Sequence, residues 1–274
     1  MILQNIIPKI ELAPYIDTFW VFEHDFGVPV EDSRIIAPNG KAKFIYTYKN
    51  ALSTIENGIQ TDYPENDIFF IGIWDKPVTL YSKSRTTGTI GIELTASGLH
   101  RFTRFSAFEV FNKIYSFKDI YGTIGCNKLE ELSNTENVFK KVEILQNFLI
   151  EIVRYNNNHI SLIDYAVDII YSSKGLISIK DLESKMGYSK RYIDSLFKDY
   201  IGISPKKLAS IERFQSFYHL WANADTTDFY TNNLVDNYYD QAHFIKEFKK
   251  YTGHSPLQYA KLQNEFGKIF YKNK

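Results

Sequence analysis

Between residues 15 and 95, short aromatic and β-branched runs alternate with turn-forming residues. Residues 15–22, 42–48, 67–74 and 89–94 are such runs. Pro38-Asn39-Gly40, Asn57-Gly58 and Asp75-Lys76-Pro77 punctuate them. The pattern predicts short strands joined by tight turns, with 89–94 as the last. Strands at this spacing predict a small antiparallel barrel or sandwich.

From about residue 98 the period changes. Residues 98–105 and 110–115 read as short helices. Residues 129–155 read as a longer one, with Val138, Val142, Leu145, Phe148, Leu149 and Ile152 at helical spacing. That helix packs on the β-rich part, joins two domains or forms a dimer face. Asn156-Asn157-Asn158 breaks the pattern, and Ile163, Ala166, Val167 and Ile170 then form a new apolar stripe. The pattern predicts an α+β chain. A β-rich, barrel-like domain with flanking helices spans 1–156, and an all-α domain spans 157–274.

Composition fits two domains of ordinary size. The chain has 274 residues, 44% of them hydrophobic and 16% aromatic, enough to fill two cores. No run reaches the length of a membrane span. The start lacks the basic, apolar order of a signal peptide. The single cysteine, Cys126, excludes an internal disulfide and multi-cysteine metal patterns. A cytoplasmic protein is the expectation.

Net charge is zero, with 32 basic and 32 acidic residues, which argues against a generic polyanion binder. The balance is uneven. Residues 176–274 hold 15 Lys and Arg against 11 Asp and Glu, so this third carries +4 and the rest −4. The excess coincides with the segment whose motif matters most.

That motif occurs twice. In the upstream unit Ile179, Leu182 and Met186 share one helix face, Gly187 makes a turn and Ser189 is a helix cap. Ile193, Leu196, Phe197 and Tyr200 form a core stripe opposite Lys190, Arg191, Asp194, Ser195 and Lys198. Gly202 stops the helix, and Ser204-Pro205 starts the next. Downstream, Asn237 takes the turn and Asp240 the cap. Phe244 and Phe248 supply the buried face; Gln241, Ala242, His243, Lys246 and Lys249 lie elsewhere. Gly253 stops the helix and Ser255-Pro256 restarts the chain. Phe197 and Phe248, Gly202 and Gly253, and Pro205 and Pro256 each stand 51 residues apart. The intervening stretch 205–222 reads as a linking helix. Two turn-and-capped-helix units in tandem can place two helices in a DNA groove about one turn apart. Lys and Arg then neutralise phosphate, while Gln or Arg reads base edges.

Residues 160–262 resemble the DNA-binding domain of the AraC/XylS family of bacterial transcription regulators. The stretch from Gly187 to Pro205, and more specifically Tyr239-Asp240-Gln241-Ala242-His243-Phe244 with Gly253-His254-Ser255-Pro256, carry the resemblance. It implies base reading from Lys190, Arg191, Asp194 and Ser195 in the first unit, and from Gln241, Ala242, His243 and Lys246 in the second. It also implies double-stranded promoter DNA and RNA polymerase as partners, and a small-molecule effector. Residues 15–120 more loosely resemble the β-rich, cupin-like sensory domains that precede this module.

The chain departs from the family pattern. A basic residue is usual at Ser195, and Asp194 beside it repels phosphate. The first reader is thus expected to add little base specificity. Asn232 and Asn233 stand where apolar and small residues are usual, and a buried Asn without partners costs roughly 1–3 kcal/mol. DNA binding that needs a dimer or a ligand is one expectation. A ligand-binding or scaffold protein with a degenerate helix-turn-helix is the other.

Other chemistry is sparse. His24 and His100 are the only histidines before residue 150, too far apart for a metal pair, so neither metal, cofactor nor catalysis is expected. A cupin-type enzyme, the third alternative, needs such a metal. No phosphate loop or nucleophilic triad occurs. Trp20, Phe22, Phe44, Tyr46, Tyr48 and Trp74 either line an effector pocket, with Arg34 and Glu93 orienting a polar group, or fill the barrel.

Overall fold

A computed structural model describes residues 2–24, 34–56, 59–81, 84, 86–96, 98–103, 105–155, 161–223, 238 and 240–262. The predicted α+β architecture is present, a β-rich N-terminal domain followed by a helical C-terminal region.

The β-rich part contains two antiparallel sheets. The larger holds β1 (Ile2–Ile6), β2 (Ile16–His24), β4 (Lys43–Lys49), β7 (Asp67–Ile71), β9 (Thr87–Leu94) and β10 (Ile114–Ser116), in the order β1-β2-β9-β4-β7-β10. The smaller holds β3 (Arg34–Ile36), β5 (Leu52–Glu56), β6 (Ile59–Tyr63) and β8 (Val78–Tyr81), in the order β3-β8-β5-β6. Central strand β4 pairs with β7 and β9, setting Phe44 against Phe70 and Ile92.

Side chains alternate across a strand, so β4 sorts its residues onto two faces. Phe44 and Tyr46 are buried against the helices. The Phe44 ring lies 6.1 Å from Phe117, and Tyr46 Oη takes a bond from Lys141 Nζ at 3.5 Å. Lys43, Ile45 and Thr47 point the other way, into a cavity between the sheets.

α1 (Leu99–Phe102), α2 (Phe117–Ser133) and α3 (Val138–Tyr155) cover the large sheet. Ser116 and Asp119 form a capping box that starts α2. Three sequence expectations change here. Residues 129–155 are two helices rather than one, because the polar stretch around Asn134 ends α2 and the Asn137 side chain caps Lys140 N at 3.0 Å. Residues 110–115 are not helical, and 89–94 is not the last strand. Ile114–Ser116 instead pairs with the edge of β7, where strand bonding outweighs a helical spacing two residues long. Strands β1, β3, β5, β6 and β8 lie outside the runs picked from sequence.

The helical region holds α4 (Ser161–Ser172), α5 (Ile179–Met186), α6 (Lys190–Tyr200), α7 (Pro205–Asn223), α8 (Gln241–Thr252) and α9 (Pro256–Lys261). The stripe Ile163, Ala166, Val167 and Ile170 is buried as expected. α7 is the hub, burying Phe214, Phe217, Tyr218 and Trp221. The expected boundary at 156–160 and the residues Asn232, Asn233, Asn237 and Tyr239 lie outside the described residues.

Candidate functional site

The first helix-turn-helix forms as its sequence dictates. Ser178 caps α5, accepting from Asp181 N at 3.0 Å. Gly187 ends it at φ 73°, in left-handed backbone that suits glycine. Ser189 caps α6, and Ile193, Leu196 and Phe197 are buried beneath. The Glu183 carboxylate accepts from Lys190 N and ties the two helices together. Lys190, Arg191 and Ser195 are exposed, and Asp194 is half-buried.

The corresponding helix of the second unit, α8, is capped by Asp240, whose carboxylate accepts from His243 N at 2.7 Å. Phe244 and Phe248 enter the core, the former 4.8 Å from Phe217 of α7. Gln241, Ala242, Lys246 and Lys249 are exposed. Neither α6 nor α8 has an acidic residue in its first turn. His243 sits differently from its neighbours. It is half-buried, its ring 5.6 Å from Tyr238 and its Nε2 3.9 Å from Glu247 Oε1. Beneath α8, Arg213 of α7 pairs with buried Glu247 at 2.6 Å, and Ser210 donates to the same carboxylate.

Lys198 does not share the free surface of Lys190 and Arg191. Its ammonium lies 4.3 Å from the centre of the Phe108 ring, against the β-rich domain. It marks a joint between the two parts. Ala107 N donates to the Asp199 carbonyl at 3.1 Å, and His100 Nε2 contacts the same oxygen at 2.7 Å. The His100 ring also packs 4.6 Å from Tyr200. Lys207, at the start of α7, pairs with Asp75 and lies over Phe111. Burial alone would raise the Asp75 carboxyl, but bonds from Lys207 and Asn112 outweigh it and hold it below its ordinary value. Gln215 Nε2 donates to Pro38 O at 2.6 Å. This joint is not legible in the sequence, because each contact pairs residues far apart in the chain.

His100 gives the joint a pH dependence. Burial disfavours its imidazolium and lowers its pKa, although Asp199 partly offsets this. A lowered folded value means the unfolded state binds this proton more readily. Its contribution to stability is therefore intact above the ordinary value of 6.5 and is lost as pH falls below it. Thermal melts through that range should show wild type losing more stability than His100→Gln, and parallel curves would contradict the assignment.

The cavity between the sheets has a volume of about 440 Å³. Trp20, Phe22, Ile45, Phe69, Ile71 and Leu80 contribute to its apolar wall. Of the aromatic candidates, Trp20, Phe22 and Trp74 line it, whereas Phe44, Tyr46 and Tyr48 do not; strand alternation puts those three on the opposite face of β4. Glu93 is at the cavity and Arg34 is not. Asn39, Lys41 and Lys43 join Glu93 at a polar end. Asn39 donates to Glu93 at 2.7 Å, and Lys41 bridges Glu93 and Asp17. Burial would lower Lys41, but the Glu93 and Asp17 carboxylates raise it above its ordinary value. Pro38 lines the cavity beside Asn39 and accepts from Gln215 of α7, so the polar end adjoins the joint.

Among the described residues, no group of three His, Cys, Asp or Glu side chains is placed to hold a metal, and no helix is long and apolar enough to cross a membrane. Cys126 is a free, half-buried thiol.

Residues 4–116 match the family model described as a domain of unknown function, DUF6597. No curated protein matches the chain. Among solved structures, ToxT from Vibrio cholerae, at 1.65 Å resolution, is similar over 89% of this chain and 97% of its own, with 12% identity and a TM-score of 0.51. An apo form of a ToxT variant from Vibrio cholerae strain SCE256 covers the same shares at 10% identity and a TM-score of 0.50. At these identities the likeness is one of fold, a β-rich domain followed by a helical region.

Proposed function

We propose that this chain is a transcription regulator that grips duplex promoter DNA with α6 and α8 and is modulated by a small molecule in the cavity between its sheets. The observation that carries the reading is the tandem repeat itself. Two capped helices, α6 and α8, pack with α7, each with exposed basic residues and no acidic residue within its first turn. Lys190, Arg191, Lys246 and Lys249 would neutralise phosphate, and Gln241 and Ala242 would face base edges. His243 would contribute at the rim of the groove. Asp194, Ser195 and Lys198 have lesser roles, the first by charge, the second by length and the third by its engagement with Phe108.

The cavity lies in the size range of small-ligand pockets. Because its polar end adjoins the joint, a ligand favouring one arrangement of the two parts would shift the population able to bind DNA. Contact with RNA polymerase and pairing of two copies belong to the same reading. It assigns the chain no enzymatic role.

A salt titration of binding to a duplex pool tests the reading. Affinity should fall steeply with salt, and Lys246→Ala should reduce the slope of log affinity against log salt by about one. Arg191→Ala should do likewise. Absence of binding at low salt, by monomer or dimer, would favour a ligand-binding or scaffold role instead.

A further inference from the structure

The first reader carries an exposed feature that its basic residues do not explain. Tyr188 in the turn and Tyr192 in the first turn of α6 are 45% and 46% exposed. Their rings stack on each other at 4.9 Å with 29° between planes. Among the described residues, each ring has the other as its aromatic neighbour, and neither belongs to the buried core. Two large aromatic side chains held together at the surface form a pre-arranged patch that folding alone does not require.

Its position selects the occupant. The C-terminal end of α6 is held by the β-rich domain, through Lys198 on Phe108 and the Asp199 carbonyl. The opposite end, where Glu183 of α5 accepts from Lys190 N, holds the tyrosine pair at the surface. Lys190 and Arg191 beside it are exposed and cationic, whereas the nearby carboxylates are engaged or covered, Glu183 with Lys190 N and Asp194 half-buried. Charge complementarity therefore favours a polyanion over an acid-balanced protein surface. On α6 the long base-reading side chain expected at Ser195 is missing. In the second unit the corresponding aromatic contact is turned inward, with Tyr238 buried against His243. Among the described residues, the exposed pair is thus particular to the first unit.

We infer that Tyr188 and Tyr192 form a DNA-contacting platform, through which the first unit packs its rings on the deoxyribose and thymine-methyl wall of a duplex groove and donates a hydroxyl to phosphate. This rests on the proposed DNA-binding function and assigns the first unit its means of contact. Such a platform discriminates weakly between bases, because ring packing reads shape and methyl groups rather than a full set of donors and acceptors.

The test measures binding of the full chain to a fluorescent random-sequence duplex pool of about 40 base pairs, long enough for two units one turn apart. Tyr188→Ala/Tyr192→Ala should weaken binding about tenfold or more at fixed salt, with the melting temperature unchanged. Tyr192→Phe keeps the ring and should lose only a few-fold, while the salt slope stays near that of wild type because no cation is removed. Lys246→Ala runs in parallel. If it weakens binding while the double tyrosine variant, folded, binds like wild type, the platform is overturned and the DNA reading stands. Failure of wild type to bind at low salt overturns both.

Discussion

Glu247→Ala is expected to destabilise the helical domain by about 3 kcal/mol, although Glu247 is not itself among the residues assigned to DNA. The Glu247 carboxylate takes two bonds from Arg213 and one from Ser210 Oγ, which also contacts Tyr251 Oη at 2.7 Å. Removing the anion leaves the Arg213 guanidinium, largely covered by Tyr238, without its counter-charge. The cost falls at the lower end of the range for a broken buried pair, because Arg213 retains some access to water. Urea denaturation followed by tryptophan fluorescence should show a lower midpoint with an unchanged slope.

A double replacement separates charge from packing. Arg213→Met/Glu247→Leu keeps most of the apolar volume and strands no charge, so it should recover most of the lost stability. DNA affinity should return with it, since α8 is positioned by the pair but exposes none of it. If the double variant is as unstable as Glu247→Ala, the network acts through its hydrogen bonds to Ser210 and Tyr251 rather than through the ion pair.

How legible these features were in sequence depends on the range of the interaction. Caps and stops at Gly187, Ser189, Gly202, Asp240, Gly253 and Ser255 act within four residues, and each occupies its expected role. The stripes Ile193-Leu196-Phe197 and Phe244-Phe248 followed from helical period alone. Strand β10 could not be read this way, since only the edge of β7 makes Ile114–Ser116 extended. The cavity lining was half legible. Aromatic content marked the strands, but register decided that Trp20 and Phe22 face the cavity while Phe44 and Tyr46 face α2 and α3. Lys198 was grouped with the DNA face by helical position, and its partner Phe108 stands 90 residues earlier.

A single methyl group at Gly202 should open the joint. Gly202 follows α6 at φ 86°, and a Cβ built there would lie 2.4 Å from the Ala107 carbonyl oxygen. That neighbour is backbone, so it cannot rotate away as a side chain would. Gly202→Ala therefore adds a steric clash to the roughly 1–2 kcal/mol of left-handed strain. Gly187→Ala is the internal control. Its φ is 73°, nearly the same, yet nothing lies within 4 Å of its Cβ position. Both variants should carry the strain, and only Gly202→Ala should separate the two parts. Hydrogen exchange reports this directly. The Ala107 amide, bonded to Asp199 O at 3.1 Å, should exchange about ten- to a hundredfold faster in Gly202→Ala, equivalent to roughly 1.4–3 kcal/mol. It should stay near the wild-type rate in Gly187→Ala. Equal protection in the two variants would mean that the close approach at Ala107 does not hold the β-rich domain against α6. If regulation runs through the joint, Gly202→Ala should also make DNA affinity independent of any cavity ligand, because the two parts would no longer share an equilibrium for that ligand to bias.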